Sequence, residues 1–198
     1  MYGKQAEVER HITSTLEAIR KDQEREQRGL PVEPIASPRV YFGWDAATTK
    51  AVDDKTLPIL HINLAFILAH EAAHHVLGHT QSDYRSLSTE QKFEREEAAD
   101  KWAAQTLIAS GQIPAPASFS LILFERMYDS GMDTSHPSNS CRARALMTSS
   151  IDAIPQFRTA LQQAGKDPDD MKRGLSETVR HMDESHACPS VAGGRGVC

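Results

Sequence analysis

The sequence predicts an α+β fold that is mostly helical and contains a small β-sheet. Two segments are predicted to form long helices, residues 64–79 and 88–111. Each is rich in apolar and small residues and has at its ends residues that typically begin or end a helix. Two short stretches, residues 39–44 and 57–63, are rich in β-branched, aromatic and other apolar side chains. They are the best strand candidates and supply the predicted sheet.

The order of these segments predicts three regions. Apolar residues recur at helical spacing near the N-terminus, so residues 1–30 are predicted to form an amphipathic helix; they are Val8, Ile12, Leu16 and Ile19. Three prolines between positions 31 and 38 then indicate an extended connector. Residues 31–165 are predicted to be the functional domain. Residues 166–198 form a polar C-terminal segment, and its glycine-rich end, residues 190–198, is expected to be disordered.

Composition excludes some classes of function. The 198 residues carry a net charge of −5, so no general electrostatic attraction to nucleic acid is expected. No apolar run reaches the length of a membrane span, which predicts a chain without a transmembrane segment. The N-terminus is charged and lacks an apolar signal region. The expected location is therefore the cytoplasm if this is the full gene product, or the periplasm if a signal peptide has been removed. Oligomeric state is left open.

A candidate metal-binding motif lies within the predicted helix at residues 64–79. His70 and His74 are four residues apart in the sequence HEAAH, which places both imidazoles on one helical face. Glu71 is turned about a quarter circle away from them. It can therefore hold a metal-bound water and act as a general base without binding the metal itself. This pattern is typical of a zinc centre that hydrolyses amide bonds.

A catalytic zinc ion takes three protein ligands and keeps one position open. His79 lies nine residues after His70, one place early for the metzincin arrangement, so it is not the third ligand of that pattern. The next predicted helix offers Glu96, in the sequence EEAAD. Asp100, one turn later, can accept a hydrogen bond from the non-ligating nitrogen of His70. We therefore expect one zinc ion per chain, held by His70, His74 and Glu96.

The pairing of HEAAH with EEAAD resembles the gluzincin metallopeptidases, and within them the family of HtpX and the CAAX prenyl proteases. That family also has a downstream His-Pro pair followed by an arginine, which here matches His136, Pro137 and Arg142. A histidine often follows its first motif, as His79 does here. The resemblance covers about residues 57–148 and implies a zincin-like metallopeptidase fold. This chain departs from the family in lacking its transmembrane helices.

The roles of the downstream residues are more open. His136 could donate a hydrogen bond to the oxyanion formed when water attacks a carbonyl, or it could simply shape the start of a helix. Arg142 could orient His136, act on the surroundings of Asp100, or pair with the helix of Glu71. For His79, a structural or surface role is favoured over metal binding.

The motifs together predict a soluble zinc-dependent metalloendopeptidase that acts on protein or peptide substrates. Two alternatives stay open at this stage. One is a catalytically idle zinc-binding module with a regulatory or partner-binding role, which would have no need for a base at Glu71. The other is a zinc amidohydrolase that acts on a small amide.

Overall fold

The computed structural model describes residues 5–31, 37–43, 45–81, 84–127 and 138–184. Seven α-helices occur in these ranges: α1 (Gln5–Gln27), α2 (Pro38–Tyr41), α3 (Ala46–Val76), α4 (Thr89–Ala109), α5 (Ser118–Met127), α6 (Asn139–Gln163) and α7 (Pro168–Glu184). Short 3-10 turns occur at His79–Gln81, Tyr84–Ser86 and Ala115–Ala117. The chain divides into two compact units, residues 1–56 and 57–198.

The predicted β-sheet is wrong, because the described residues contain no strand. Residues 57–63 lie inside α3, and most of residues 39–44 lie in α2 and the turn after it. The run at 57–63 is too short for its periodicity to distinguish a buried strand from a helix. Read together with residues 64–76, it shows the helical spacing of the buried positions Asn63, Phe66 and His70. The prediction that the fold is mostly helical agrees with the structure of the described residues.

The first unit contains α1, α2 and the beginning of α3. The ring of His11 is buried and contacts the rings of Tyr41 and Phe42, with centroid distances of 4.2 and 4.9 Å. Arg39 forms an ion pair with Asp53 at 2.9 Å. Helix α1 lies within residues 1–30, where the sequence predicted an N-terminal helix. The contacts of His11 with Tyr41 and Phe42 therefore join α1 to α2 and the turn after it within this unit.

In the second unit, one hydrophobic core contains residues from the second half of α3 and from each of α4, α5, α6 and α7. Helix α6 has the most extensive contacts, packing against α4, α5 and α7. The core side chains include Phe66, Leu107, Leu121, Leu146 and Met182. Met182 belongs to α7, so part of the segment predicted to be merely polar contributes to the core. The glycine-rich residues 190–198, expected to be disordered, lie outside the described residues.

A buried asparagine connects α3 to the start of α5. The Asn63 amide nitrogen donates to the carbonyl oxygens of Ile59 and Pro116 at 2.6 and 3.1 Å. Its carbonyl oxygen accepts hydrogen bonds from the backbone N–H and the hydroxyl of Ser120. A satisfied polar group in a core permits one alignment of the two helices, because sliding would leave it without partners. His70 lies on the same face of α3, two turns after Asn63.

The outer face of α3 is apolar. Leu57, Leu60, Leu64 and Leu68 are exposed at helical spacing. By length and composition, α3 is the one helix in the described part of the chain that could cross a membrane, a property it shares with core helices of globular proteins. The predicted absence of a transmembrane segment therefore stays a prediction.

Candidate metal centre

Helix α3 places two histidines side by side. His70 is buried and His74 is half-buried, one turn further along the helix. Their Nε2 atoms are 3.2 Å apart. The intervening Glu71 is exposed, on a different side of the helix. Its carboxylate is therefore accessible to solvent beside the histidine pair.

Helix α4 provides the carboxylate that faces these histidines. The helix begins with the predicted capping box: Gln91 N–H donates to the hydroxyl of Ser88 at 3.2 Å, and Ser88 N–H donates to the Gln91 side chain at 3.0 Å. Two turns later Glu96 is only 3% exposed. Its neighbours Glu94 and Glu97 are exposed. The helical register thus points one of three nearby glutamates inward.

The three side chains form a compact triangle of donor atoms. Glu96 Oε2 lies 3.3 Å from His70 Nε2, and Glu96 Oε1 lies 3.4 Å from His74 Nε2. Donors arranged tetrahedrally at zinc bond lengths lie about 3.3–3.4 Å from one another. The distance between the two imidazole nitrogens agrees with that spacing, and so does the distance from each of them to the nearer oxygen of the Glu96 carboxylate. His70, His74 and Glu96 could therefore hold one metal ion.

The second nitrogen of His70 is held from α4 and α6. His70 Nδ1 lies 2.8 Å from Asp100 Oδ1. Arg142, on α6, donates to both oxygens of Asp100 at 2.7 and 2.8 Å. Burial by itself would raise the pKa of Asp100, but the hydrogen bonds from Arg142 and His70 lower it. Asp100 is thus kept ionised and able to accept from His70.

The contacts among His70, Asp100 and Glu96 also change the pKa of His70. Burial by itself would lower the pKa of His70, but the hydrogen bonds with Asp100 and Glu96 raise it to about 9. In the metal-free protein His70 is therefore a cation at neutral pH. A metal ion that binds here replaces the proton on Nε2 with its own positive charge.

The second nitrogen of His74 also has a neighbour. His79 Nδ1 lies 3.1 Å from His74 Nδ1, on the side away from the triangle. The sequence favoured a structural or surface role for His79. The only sign in the sequence that His79 belongs to the site was the resemblance, since a histidine often follows the first motif in that family. Helical spacing could not predict its contact with His74, because Gly78 lies between them and ends the helix.

The structure brings together most of the residues that the sequence singled out. Of the three roles considered for Arg142, the contacts favour the one that acts on the surroundings of Asp100. His136 lies outside the described residues, so its role stays a prediction. Glu71 is exposed next to His70, and its role as a general base stays a prediction.

Comparison with known proteins identifies the class of protein. A family model described as Peptidase U49 matches residues 3–153, which makes the protein a peptidase. The chain belongs to the peptidase U49 family. The matched region contains all the candidate residues named above and ends within α6. No curated protein and no solved structure matches the chain.

Proposed function

We propose that the protein is a zinc-dependent metalloendopeptidase that hydrolyses peptide bonds of protein substrates. The observation that carries this proposal is the triangle of His70 Nε2, His74 Nε2 and the Glu96 carboxylate, with edges of 3.2, 3.3 and 3.4 Å. Two imidazoles and one carboxylate are a donor set typical of catalytic zinc in peptidases. The resemblance of the motifs to the HtpX and CAAX prenyl protease family supports the same assignment.

Zinc at this centre would lower the pKa of a bound water and polarise the scissile carbonyl. Glu71 would accept the proton of the attacking water and later deliver it to the leaving amine. Its place next to His70 on α3, about a quarter turn round the helix, supports this role, because a carboxylate there can reach an attacking water without itself being a ligand. Asp100 would hold His70 in the tautomer that directs Nε2 toward the metal, with Arg142 holding Asp100 in place.

His136 is the proposed donor of a hydrogen bond to the oxyanion. It belongs to the third motif of the resemblance and lies outside both ligand-bearing helices. This role predicts that His136→Ala keeps zinc but loses roughly a hundredfold or more in turnover, as removal of an oxyanion donor usually does.

The test combines metal analysis with cleavage of an unfolded protein substrate. The wild type should contain about one zinc per chain and lose hydrolysis in a chelator. Glu71→Gln should keep zinc and lose hydrolysis, whereas His70→Ala should lose both. Glu97→Gln is the matched control, since Glu97 is an exposed glutamate outside the triangle, and it should retain both.

Three results would contradict the proposal in different ways. Hydrolysis that persists without metal would exclude a zinc mechanism. A zinc-loaded protein that cleaves a small amide but no polypeptide would favour the amidohydrolase. A zinc-loaded protein with no hydrolysis of either substrate would favour the idle binding module.

A further inference from the structure

The two histidines of the metal centre differ in what holds their second nitrogen. His70 Nδ1 faces the carboxylate of Asp100 at 2.8 Å. His74 Nδ1 faces another imidazole nitrogen, Nδ1 of His79, at 3.1 Å. The planes of these two rings are inclined by 66°. His74 therefore has a neighbour at each nitrogen, the triangle at Nε2 and His79 at Nδ1.

Local structure after α3 brings His79 back toward His74. Gly78 has a φ of +73°, a left-handed conformation that glycine adopts without strain and that ends a helix. The following 3-10 turn, His79–Gln81, is closed by a hydrogen bond from Gln81 N–H to the carbonyl of Gly78 at 3.2 Å. From α4, the Arg95 guanidinium donates to the carbonyl of His79 at 2.9 Å. His79 is thus held by contacts that are independent of its own ring.

The chemistry of the two rings restricts how they can interact. A histidine that binds a metal through Nε2 in its neutral form carries its proton on Nδ1. His74 would then donate this N–H, and His79 would accept it on an unprotonated Nδ1.

We propose that His79 is a positioning residue that fixes the tautomer and ring orientation of the metal ligand His74. The inference rests on the proposed metal centre and adds a residue to it. His79 is not itself a ligand in this arrangement, because its Nδ1 contacts the nitrogen of His74 that points away from the triangle. It does for His74 what Asp100 does for His70.

Zinc affinity measured by competition with a chromophoric chelator tests this, with three variants of the full chain at one pH. His79→Ala removes the acceptor and should weaken zinc binding by about 10–100-fold. His79→Asn places its Oδ1 close to the position of the histidine Nδ1 and should restore affinity to within a few-fold of wild type. His75→Ala, at an exposed histidine on the same helix, is the matched control and should leave affinity unchanged.

The visible spectrum of the cobalt-substituted protein gives a second measurement. A reoriented His74 ring should change the cobalt bands in His79→Ala, and His79→Asn should recover them. Wild-type affinity and an unchanged spectrum in His79→Ala would overturn the inference. So would a folded His79→Asn whose zinc affinity does not return to within a few-fold of wild type, a comparison that needs only the wild type and remains decisive if His79→Ala does not fold. A wild type that binds no zinc would instead refute the proposed function.

Discussion

The guanidinium of Arg142 forms two hydrogen bonds with the carboxylate of Asp100, at 2.7 and 2.8 Å, across 42 positions of the chain. Asp100 is buried and Arg142 is largely so, with 8% and 11% of their side-chain surfaces exposed. The pair joins α6 to α4 directly behind His70. The orientation of His70 therefore depends on a helix that contributes none of the three proposed ligands.

Arg142→Ala should reduce both stability and zinc affinity. It removes one of the two cationic partners of the buried Asp100 carboxylate, and breaking such a buried pair typically costs about 3–5 kcal/mol. Chemical denaturation of the metal-free protein measures this loss. Arg144→Ala is the control, because Arg144 pairs with Asp183 at an exposed position on the same helix and should cost below about 1 kcal/mol. Equal losses for the two variants would refute the role given to Arg142.

Glu96→Ala should weaken zinc binding far more than Glu94→Ala or Glu97→Ala. Only Glu96 among the three is buried and directed at the two histidines. Losing one of three ligands should reduce affinity by several orders of magnitude, which the same chelator competition can measure. If all three variants bind zinc equally, the third ligand lies elsewhere.

The stability of the metal-free protein should depend on pH through His70. Its pKa is raised from 6.5 to about 9 by folding, so the stabilising contribution of the protonated ring is complete below pH 6.5 and is lost as pH rises through about 9. The loss should be on the order of 3 kcal/mol. Thermal unfolding in a chelator between these pH values checks the sign.

Zinc affinity should change with pH in the opposite direction to the stability of the metal-free protein, since His70 must lose a proton to bind zinc. At a buffered free zinc concentration, affinity should rise by up to tenfold per pH unit below about pH 9. Stability of the metal-free form that increased over the same interval would contradict the assignment of His70 as a cation paired with Asp100.

Met182→Ala should destabilise the protein by about 2 kcal/mol or more, because the side chain is buried in the core that includes Leu146. His181→Ala, at the exposed neighbouring position, should change stability by less than about 0.5 kcal/mol. Truncation after Arg180 removes Met182 and should lower stability further than truncation after Glu184, which keeps it. Urea denaturation of the four variants makes the comparison. Equal stability of the two truncations would show that α7 adds nothing to the core.

Local patterns in the sequence predicted the parts of the site that depend on spacing within one helix. His70 and His74 share a face because they are four residues apart. The same register separates Glu96 from Glu94 and Glu97, and the reciprocal contacts of Ser88 and Gln91 begin that helix as predicted. Each of these features follows from helical geometry over one or two turns, which a sequence determines without reference to the rest of the chain.

Tertiary structure decided what that spacing left open. The apolar run at residues 57–63 fits a strand or a helix by itself. It is helical in the structure, where its one buried residue, Asn63, continues the face of Phe66 and His70. The choice of Asp100 as the partner of Arg142 depends on how α6 packs on α4. The contact of His79 with His74 depends on the reversal at Gly78 and the hydrogen bond from Arg95. These contacts join residues from separate elements, so their energies depend on packing that no local pattern of residues specifies.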